Sequence, residues 1–314
     1  MIRYIARRLA WGLAVLISVG AVTFVLVYIL PADPARVIAG PRAAPDAVAR
    51  IAQQLGLDQP LPVQLARYVD RALHGDLGHS FSQNLDVLPL ILQRFPATLQ
   101  LALAGLLIEL AIGVPLGLLA ATRRGSIFDR GSTILSIILV SAPSFWVGLL
   151  LIHYLGFLPH QLFGIDVFPI GGYKALDLRY LLLPALTVGF AGAAYYTRLT
   201  RVTMLEELHR DYVRTARAKG LSERSVHWKH AFRNAVGPIL TQVGLDIGFF
   251  LGGVIVVEQI FSWPGIGKLA VDSIRTADVP LIMGTVLFAT LCIVLANLFV
   301  DVLNAIVDPR IRYS

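Results

Sequence analysis

Long apolar runs divide this chain into six blocks, and polar stretches separate each block from the next. Each block is long enough to cross a lipid bilayer as a helix, which takes roughly 20 apolar residues. Inside lipid the backbone amides and carbonyls find no water, so a helix that satisfies them internally is favoured. The pattern predicts an all-α membrane protein with six transmembrane helices, over 9–30, 97–121, 133–157, 181–204, 236–257 and 281–305.

The first block follows Arg3, Arg7 and Arg8, a polarity shared by membrane anchors and cleaved secretory signals. Its apolar core, 9–30, is longer than the roughly 7–15 residues of a signal peptide core. The stretch that follows, 31–34, has no small-x-small cleavage pattern. We therefore expect an uncleaved first transmembrane helix, with a signal peptide as the alternative.

Residues 31–96 form the longest polar segment, and prolines recur through it. Proline removes a backbone donor and breaks a helix interior, so no long helix is expected there. Two short amphipathic helices fit between the prolines, one from Pro45 to Gly56 and one from Pro62 to Leu73. We expect a small helical segment outside the membrane rather than a separate domain.

The distribution of positive charge predicts the orientation. With the N-terminus inside, 17 of the 27 Lys and Arg fall in the cytoplasmic pieces, although these are shorter in total than the outer ones. Lys and Arg collect in cytoplasmic loops of membrane proteins, so both termini are expected inside. This predicts an N-terminal end with the first helix (1–30), an extracytoplasmic segment (31–96), a five-helix core (97–305) and a cytoplasmic tail (306–314).

Composition narrows the classes of function. The chain is 56% hydrophobic and 15% charged, against about 25% charged residues in a soluble domain. The net charge of +7 is accounted for by the basic loops, and the apolar blocks exclude a DNA-binding protein. Cys292 is the one cysteine, so no intrachain disulfide forms and no cysteine-based metal site exists. No metal-ligand spacing such as H-E-x-x-H occurs, and no nucleophile or metal cluster indicates a membrane enzyme.

The segment 205–235, between the fourth and fifth blocks, is too charged to lie in lipid and too long for a simple turn. Its periodicity predicts a helix up to Lys219, and Gly220 fits the left-handed position that ends a helix. Ser222 can cap a second helix that runs to Asn234. The result is a helix–turn–helix that a soluble partner could grip. The alternative is an ordinary basic loop.

Residues 211–221, DYVRTARAKGL, resemble the EAA loop of binding-protein-dependent ABC importer permeases, and HAFRNA at 230–235 resembles the peptide-importer branch. Arg214 and Thr215 stand where the general motif begins with Glu-Ala, and 230–233 replaces its Ile-x-Leu-Pro, as is usual in that branch. Further segments resemble the first permease of dipeptide and oligopeptide importers: LGLDQPLP at 55–62, GDLGHSF at 75–81, EQIFSWPGIG at 258–267 and DPR at 308–310.

The resemblance implies a type I ABC importer permease in a bacterial inner membrane, acting on di- or oligopeptides or similar small solutes. It implies a homologous second permease, two cytoplasmic ATPase subunits and an extracytoplasmic substrate-binding protein as partners. ATP and Mg would bind the ATPase subunits; this chain has no phosphate loop, because Gly265-Ile266-Gly267-Lys268 lacks the required spacing. The residues implied to couple to the ATPases are Asp211, Arg214, Thr215, Ala216, Arg217, Ala218, Lys219, Gly220 and Leu221.

Two acids, Glu109 and Asp246, lie inside apolar blocks. A charge in lipid costs at least about 2.5–3.5 kcal/mol, so both should face protein or a water-filled path. They either line the passage or bind a cationic group, or they are paired or protonated within the bundle. Such acids also suit a proton-coupled secondary transporter, which is the alternative function.

Glycines at a spacing of four recur in two blocks. Gly244, Gly248 and Gly252 permit close helix approach, either within the chain or at an interface with the second permease along the path. Gly113 and Gly117 have the same two interpretations, and for this pair packing within the chain is favoured.

Overall fold

The computed structural model describes residues 2–29, 35–36, 43–55 and 58–307. Six of the described helices are long and apolar enough to cross a membrane, which confirms the predicted all-α, six-span architecture. The stretch 31–34, Gly56 with Leu57, and the DPR tail at 308–310 lie outside the described residues. The six spans are Ile5–Leu26, Val87–Thr122, Ser144–Phe163, Leu178–Leu208, Glu223–Leu251 and Val279–Val302.

The described elements follow one another in chain order as helices, with one small hairpin. Two π-helical stretches, Ile152–Phe157 and Val226–Phe232, continue the helices on either side of them. The elements are α1 (Ile2–Ile29), α2 (Pro45–Leu55), α3 (Leu61–Leu73), β1 (His79–Ser80), β2 (Leu85–Asp86), α4 (Val87–Thr122), α5 (Ile127–Ser141), α6 (Ser144–Leu151), α7 (Leu158–Phe163), α8 (Leu178–Leu208), α9 (Asp211–Ala218), α10 (Glu223–Ser225), α11 (Arg233–Leu251), α12 (Ile255–Ile260), α13 (Ile266–Arg275) and α14 (Val279–Val307).

The second and fourth spans, α4 and α8, pack closely along their length and form the centre of the bundle. A Cβ atom on Gly113 would lie 2.6 Å from the Ala193 carbonyl oxygen, and one on Gly117 would lie 2.5 Å from that of Thr197. Only glycine permits this separation of the two backbones. The packing interpretation of these two glycines is confirmed.

The second span begins at Val87, not at 97 as predicted, and Pro96 lies inside the helix. Most of the residues over 87–95 are apolar, and Val87 and Leu90 are buried in a cluster with Leu281 of α14. Packing holds the helix through the proline, since neighbouring helices and local adjustment compensate for the lost backbone bond. The polar segment is therefore shorter than the predicted 31–96.

The helix predicted over 133–157 is interrupted, because α5 ends at Ser141 and α6 begins at Ser144. The third span, Ser144–Phe163, begins with α6, and α5 precedes it as a separate helix. Pro143 has no backbone donor and forces Ala142 into an extended conformation, so the helix breaks there. The fifth span also ends earlier than predicted, at Leu251 rather than 257, since Gly253 has φ +103° and stops the helix. These breaks correct the spans predicted over 133–157 and 236–257.

The segment between the first two spans contains α2 and α3, within a residue or two of the predicted helices. It also contains a hairpin that was not predicted, in which His79 pairs with Asp86 and Ser80 with Leu85. Asp278 Oδ2, just before α14, accepts hydrogen bonds from the Ser80 hydroxyl at 2.6 Å and from the Ser82 hydroxyl and amide at 2.7 and 2.9 Å. The hairpin is thereby tied to the start of the sixth span.

Candidate functional site: the coupling segment and the acids within the membrane

The coupling segment, 205–235, begins where α8 ends at Leu208 and the chain turns into α9. Two residues of α9, Val213 and Ala216, are buried and contact Val226 at the start of the fifth span, with Leu208 alongside. Burial of apolar side chains on one face fixes α9 against both neighbouring spans. The helix–turn–helix prediction for this segment is confirmed in its first half.

The turn after α9 has the geometry predicted from its residues. Gly220 has φ +75°, and its amide donates to the Arg217 carbonyl at 2.9 Å. The Ser222 side chain accepts from the Ser225 amide at 3.4 Å and caps the next helix. That helix does not end at Asn234 as predicted, because the π-helical stretch carries it without a break into α11. The second helix is thus the start of the fifth span.

The predicted coupling residues divide between two faces of α9. Ala216 points inward and packs within the segment, and Arg217 is held by Glu223 through bonds of 2.8 and 3.2 Å. His227 lies 3.1 Å from the same Glu223 side chain, so two basic groups meet this carboxylate. The other predicted residues are exposed: Asp211, Arg214, Thr215, Ala218, Lys219, Gly220 and Leu221.

Tyr212 contributes to the segment although its sequence position did not single it out. Its hydroxyl donates to Glu207 of α8 at 2.5 Å and lies 3.5 Å from the His230 carbonyl. Burial, and then the hydrogen bond to Glu207, raise the pKa of the Tyr212 hydroxyl above its ordinary value. One side chain therefore links the end of the fourth span to the start of the fifth.

An ion pair beside the coupling segment was also missed. Asp129, buried at the start of α5, accepts from Arg201 Nε at 2.5 Å and from Nη2 at 3.0 Å. The hydrogen bonds from Arg201, and a further one from the Gly125 amide at 2.9 Å, lower the pKa of Asp129 to about 2. The pair joins α5 to the last turns of the fourth span, and the separation of 72 positions in the sequence hides it from local pattern analysis.

The two acids predicted inside the spans lie near each other. Glu109 of α4 is buried, and Asp246 of α11 is close enough for the two charges to interact. Asp246 accepts from the Tyr196 hydroxyl at 2.5 Å and from the Gln242 amide at 2.9 Å. Tyr195, which is exposed, donates to Gln242 Oε1 at 3.3 Å. A polar cluster thus joins the second, fourth and fifth spans at mid-depth.

The glycines of the fifth span face the sixth span of the same chain. A Cβ on Gly244 would clash with the Val300 side chain, and one on Gly252 would lie 3.2 Å from Ile293. Gly248 faces Asn297 and Ala296 with more room, at 3.5 and 3.6 Å. Packing within the chain, the first of the two interpretations, therefore accounts for Gly244 and Gly252. It does not require glycine at 248, so a role of Gly248 at an interface with the second permease stays a prediction.

On the side opposite the coupling segment, a buried carboxylate fastens the loop before the sixth span. Glu258 accepts from the Thr98 hydroxyl at 2.9 Å and from the Lys268 amide at 2.8 Å, and its carboxylate packs against Gly265. Burial raises the pKa of Glu258, and these hydrogen bonds oppose that shift. The Trp263 indole donates to the Ala97 carbonyl at 2.8 Å, which locks the same loop to α4. Within the described part of the chain, no group of three or more His, Cys, Asp or Glu could hold a metal ion.

Two family models match this chain. Residues 113–313 match the binding-protein-dependent transport system inner membrane component, and residues 1–102 match the N-terminal region of such membrane components. The chain belongs to the family of binding-protein-dependent transport system inner membrane components. It is a permease subunit of an ABC importer, as the resemblance in its sequence implied.

Curated relatives align with it from end to end. It is 42% identical over 314 residues to the glutathione transport system permease protein of Salmonella paratyphi A, with all of both chains covered. It is 42% identical over 322 residues to a putative peptide transport system permease protein of Brucella abortus, and 37% identical over 338 residues to the dipeptide transport system permease protein of Escherichia coli K12, again with full coverage.

A solved transporter structure shows the same fold. A chain of the MetNI methionine ABC transporter, in an inward-facing conformation, superimposes with a TM-score of 0.52 at 16% identity, covering 70% of this chain and 96% of that one. At this identity the match concerns the fold alone. With the family, it confirms the predicted type I permease bundle.

Proposed function

We propose that this permease imports di- or oligopeptides or similar small solutes across a bacterial inner membrane, with both of its termini in the cytoplasm. Relatives named for glutathione, dipeptide and peptide transport, at 37–42% identity over the full chain, support the solute class. Two ATPase subunits, which bind ATP and Mg, dock on the coupling segment. A second permease completes the pathway, and an extracytoplasmic binding protein delivers the solute.

The geometry of α9 is the observation that carries the docking proposal. Val213 and Ala216 bury one face, while Arg214, Thr215 and Ala218 leave the other face open. A helix that is held firmly on one side and open on the other can receive a soluble subunit without losing its own support. An ordinary basic loop would not need the buried face, the left-handed glycine and the capped second helix together.

The attachments of α9 indicate how force reaches the membrane. The helix follows α8 directly, packs on Val226 of the fifth span, and is flanked by the Tyr212 link and the Asp129–Arg201 pair. A rigid shift of α9 on ATPase closure would move the fourth and fifth spans together. Those two spans carry Tyr196 and Asp246, so the polar cluster would change its surroundings during the cycle.

Affinity capture tests this function. The tagged chain is purified from membranes in mild detergent, and the co-purifying proteins are identified by mass spectrometry. We expect an ATPase and a second permease, and Arg214→Glu should lose the ATPase while it keeps the permease. Arg275→Glu is the matched control, because Arg275 pairs with Asp272 at 3.8 Å and i,i+3 spacing, as Arg214 does with Asp211 at 3.7 Å, but on the opposite side.

The contrary result is equally clear. Recovery of the chain alone or as a homodimer, with uptake that follows a proton gradient and needs no ATP, would overturn the proposal in favour of the secondary transporter. Loss of the ATPase with both variants would contradict docking on α9.

A further inference from the structure

A buried carboxylate in the second span lacks a hydrogen-bond partner. Glu109 is 2% exposed, and its Oε2 atom has no partner in the part of the chain that the structure describes. Its carboxyl group packs directly against Gly192 of the fourth span, where any larger residue would collide with it. Glu109 lies 13 residues from the end of α4 at Thr122, or about 20 Å along the helix. It is therefore deep within the span, away from bulk water.

The neighbouring acid is set up as an acceptor. One oxygen of Asp246 accepts from the Tyr196 hydroxyl, and the other accepts from the Gln242 amide. The orientation of the Gln242 amide follows from its own oxygen, which accepts from Tyr195. Two donors aimed at its two oxygens suit a carboxylate, which only accepts, better than a protonated acid, which would also need an acceptor for its own proton.

The cluster opens to one side. Tyr195 is 44% exposed and Asp246 is partly exposed, whereas Glu109 is buried behind them. Glu109 packs on Gly192, one helical turn before Tyr196, and the Tyr196 hydroxyl donates to Asp246, so both acids lie against the same stretch of α8. A group that approaches from the Tyr195 side meets Asp246 first and has Glu109 within electrostatic reach.

The described residues supply no compensating charge. Neither Glu109 nor Asp246 forms a salt bridge with a described Lys, Arg or His. Two interacting carboxylates at this depth are unfavourable unless a cation joins them. An ammonium group fits, since it carries one positive charge and three donors, and both acids retain free acceptor positions.

We propose that Glu109 and Asp246 form a binding site for the ammonium group of the transported solute. This proposal rests on the proposed function, in which the solute is a peptide or a similar small molecule. The α-amino group of such a solute has a pKa of about 8 and is mostly protonated at neutral pH. When the site is empty, a proton takes the place of the ammonium group and neutralises one of the two acids.

A labelling experiment on the assembled complex tests the site without requiring transport. Dicyclohexylcarbodiimide modifies protonated carboxyl groups in apolar surroundings, and mass spectrometry quantifies the modification at each acid. The probes are alanyl-alanine amide, which carries an ammonium group, and N-acetyl-alanyl-alanine amide, which does not. We expect the first probe to slow labelling of Glu109 several-fold and the second to leave it unchanged, while Asp246, as the ionised acid, is labelled little in either case. Glu258 is the internal control, a buried acid in the loop before the sixth span that neither probe should affect.

Two variants sharpen the test. Asp246→Asn preserves the size of the side chain and should abolish the protection of Glu109 by alanyl-alanine amide, and Glu109→Gln should remove the labelling at this site altogether. If both probes slowed the labelling, the ammonium group would not be what is recognised, and the proposal would be overturned. If neither probe slowed it, the proposal would also be overturned, and a proton alone would supply the compensating charge. Absence of labelling would also overturn it, because a permanent cation from the second permease would then hold both acids ionised. Since uptake is not measured, failure here is distinct from failure of ATP-driven transport in the capture experiment.

Discussion

Asp129 and Arg201 form a bidentate ion pair between the start of α5 and the last turns of the fourth span. The Asp129 side chain is 5% exposed and that of Arg201 is 26% exposed, so the pair is largely shielded from water. Asp129 also accepts from the Gly125 amide and thereby closes the turn that connects the second span to α5. The pair therefore holds α5 against the fourth span, beside the coupling segment.

Removing one partner should destabilise the protein markedly. We expect Asp129→Asn to cost about 3 kcal/mol, because it leaves a largely buried guanidinium without its countercharge. The change is measured as thermal unfolding of the purified protein in detergent. The exchange Asp129→Arg with Arg201→Asp should restore part of the loss, but not the bond to Gly125. An exchange that is no better than the single variants would contradict a pairwise interaction.

The same pair predicts a pH dependence with a definite sign. The pKa of Asp129 is lowered from 3.8 to about 2, so its stabilising effect is present above the unfolded-state value and is lost as the pH falls towards 2. The difference in melting temperature between the wild type and Asp129→Asn should be constant from neutral pH to about 5 and should shrink below about 4. A difference that instead narrows between pH 5 and 7 would assign the effect to another group.

The apolar pattern predicted the spans because lipid imposes a simple rule on length and polarity. Local rules also predicted the left-handed Gly220 and the Ser222 cap, since both depend on a few adjacent residues. The predicted start of α4 at 97 is wrong, because proline disfavours a helix interior in sequence terms. In the structure, the packing of the buried Val87 holds the helix together on both sides of Pro96.

Contacts distant in sequence could not be predicted in this way. Three such contacts join residues 72 or more positions apart in the sequence. They are the ion pair between Asp129 and Arg201, the hydrogen bond from Ser80 of the hairpin to Asp278, and the hydrogen bond from Thr98 to Glu258. Such contacts depend on which faces of the spans meet, and the period of the pattern does not specify that. For the same reason the nearness of Glu109 to Asp246 was not apparent from the sequence, although each acid was singled out by itself.

The glycines of the fifth span provide a matched pair for a packing test. Gly244→Ala should destabilise the protein by about 1–3 kcal/mol, because the new methyl group would collide with Val300. Gly248→Ala should be tolerated, since its neighbours lie at 3.5 Å or beyond. Thermal unfolding in detergent measures both variants, and Val300→Ala should rescue Gly244→Ala. If Gly248→Ala instead released the second permease, the motif would serve the interface between subunits.

The turn at Gly220 should control coupling rather than insertion. Gly220→Ala places a Cβ in the left-handed region at a cost of about 1–2 kcal/mol. Gly220→Pro is more severe, because proline cannot adopt φ +75° and removes the amide that donates to Arg217. We expect ATP-dependent uptake per inserted protein to fall with alanine and to vanish with proline. Gly237→Ala is the control, since Gly237 lies within α11 with open space around it. Equal loss of protein from the membrane would contradict a role in coupling.

The two arginines of α9 should differ in how their effects can be rescued. Arg217 bonds to Glu223 across the turn, so Arg217→Glu should unfold the turn, and the exchange with Glu223→Arg should recover uptake in part.

Arg214 is 76% exposed and lies 3.7 Å from Asp211, a weak pairing on the surface. Its reversal should leave the segment folded and yet reduce uptake, and Asp211→Arg should not rescue it, because the partner that Arg214 meets is the ATPase. Uptake and ATPase recovery are measured together for each variant; rescue of Arg214→Glu by Asp211→Arg would show that both arginines act only by holding the segment in shape.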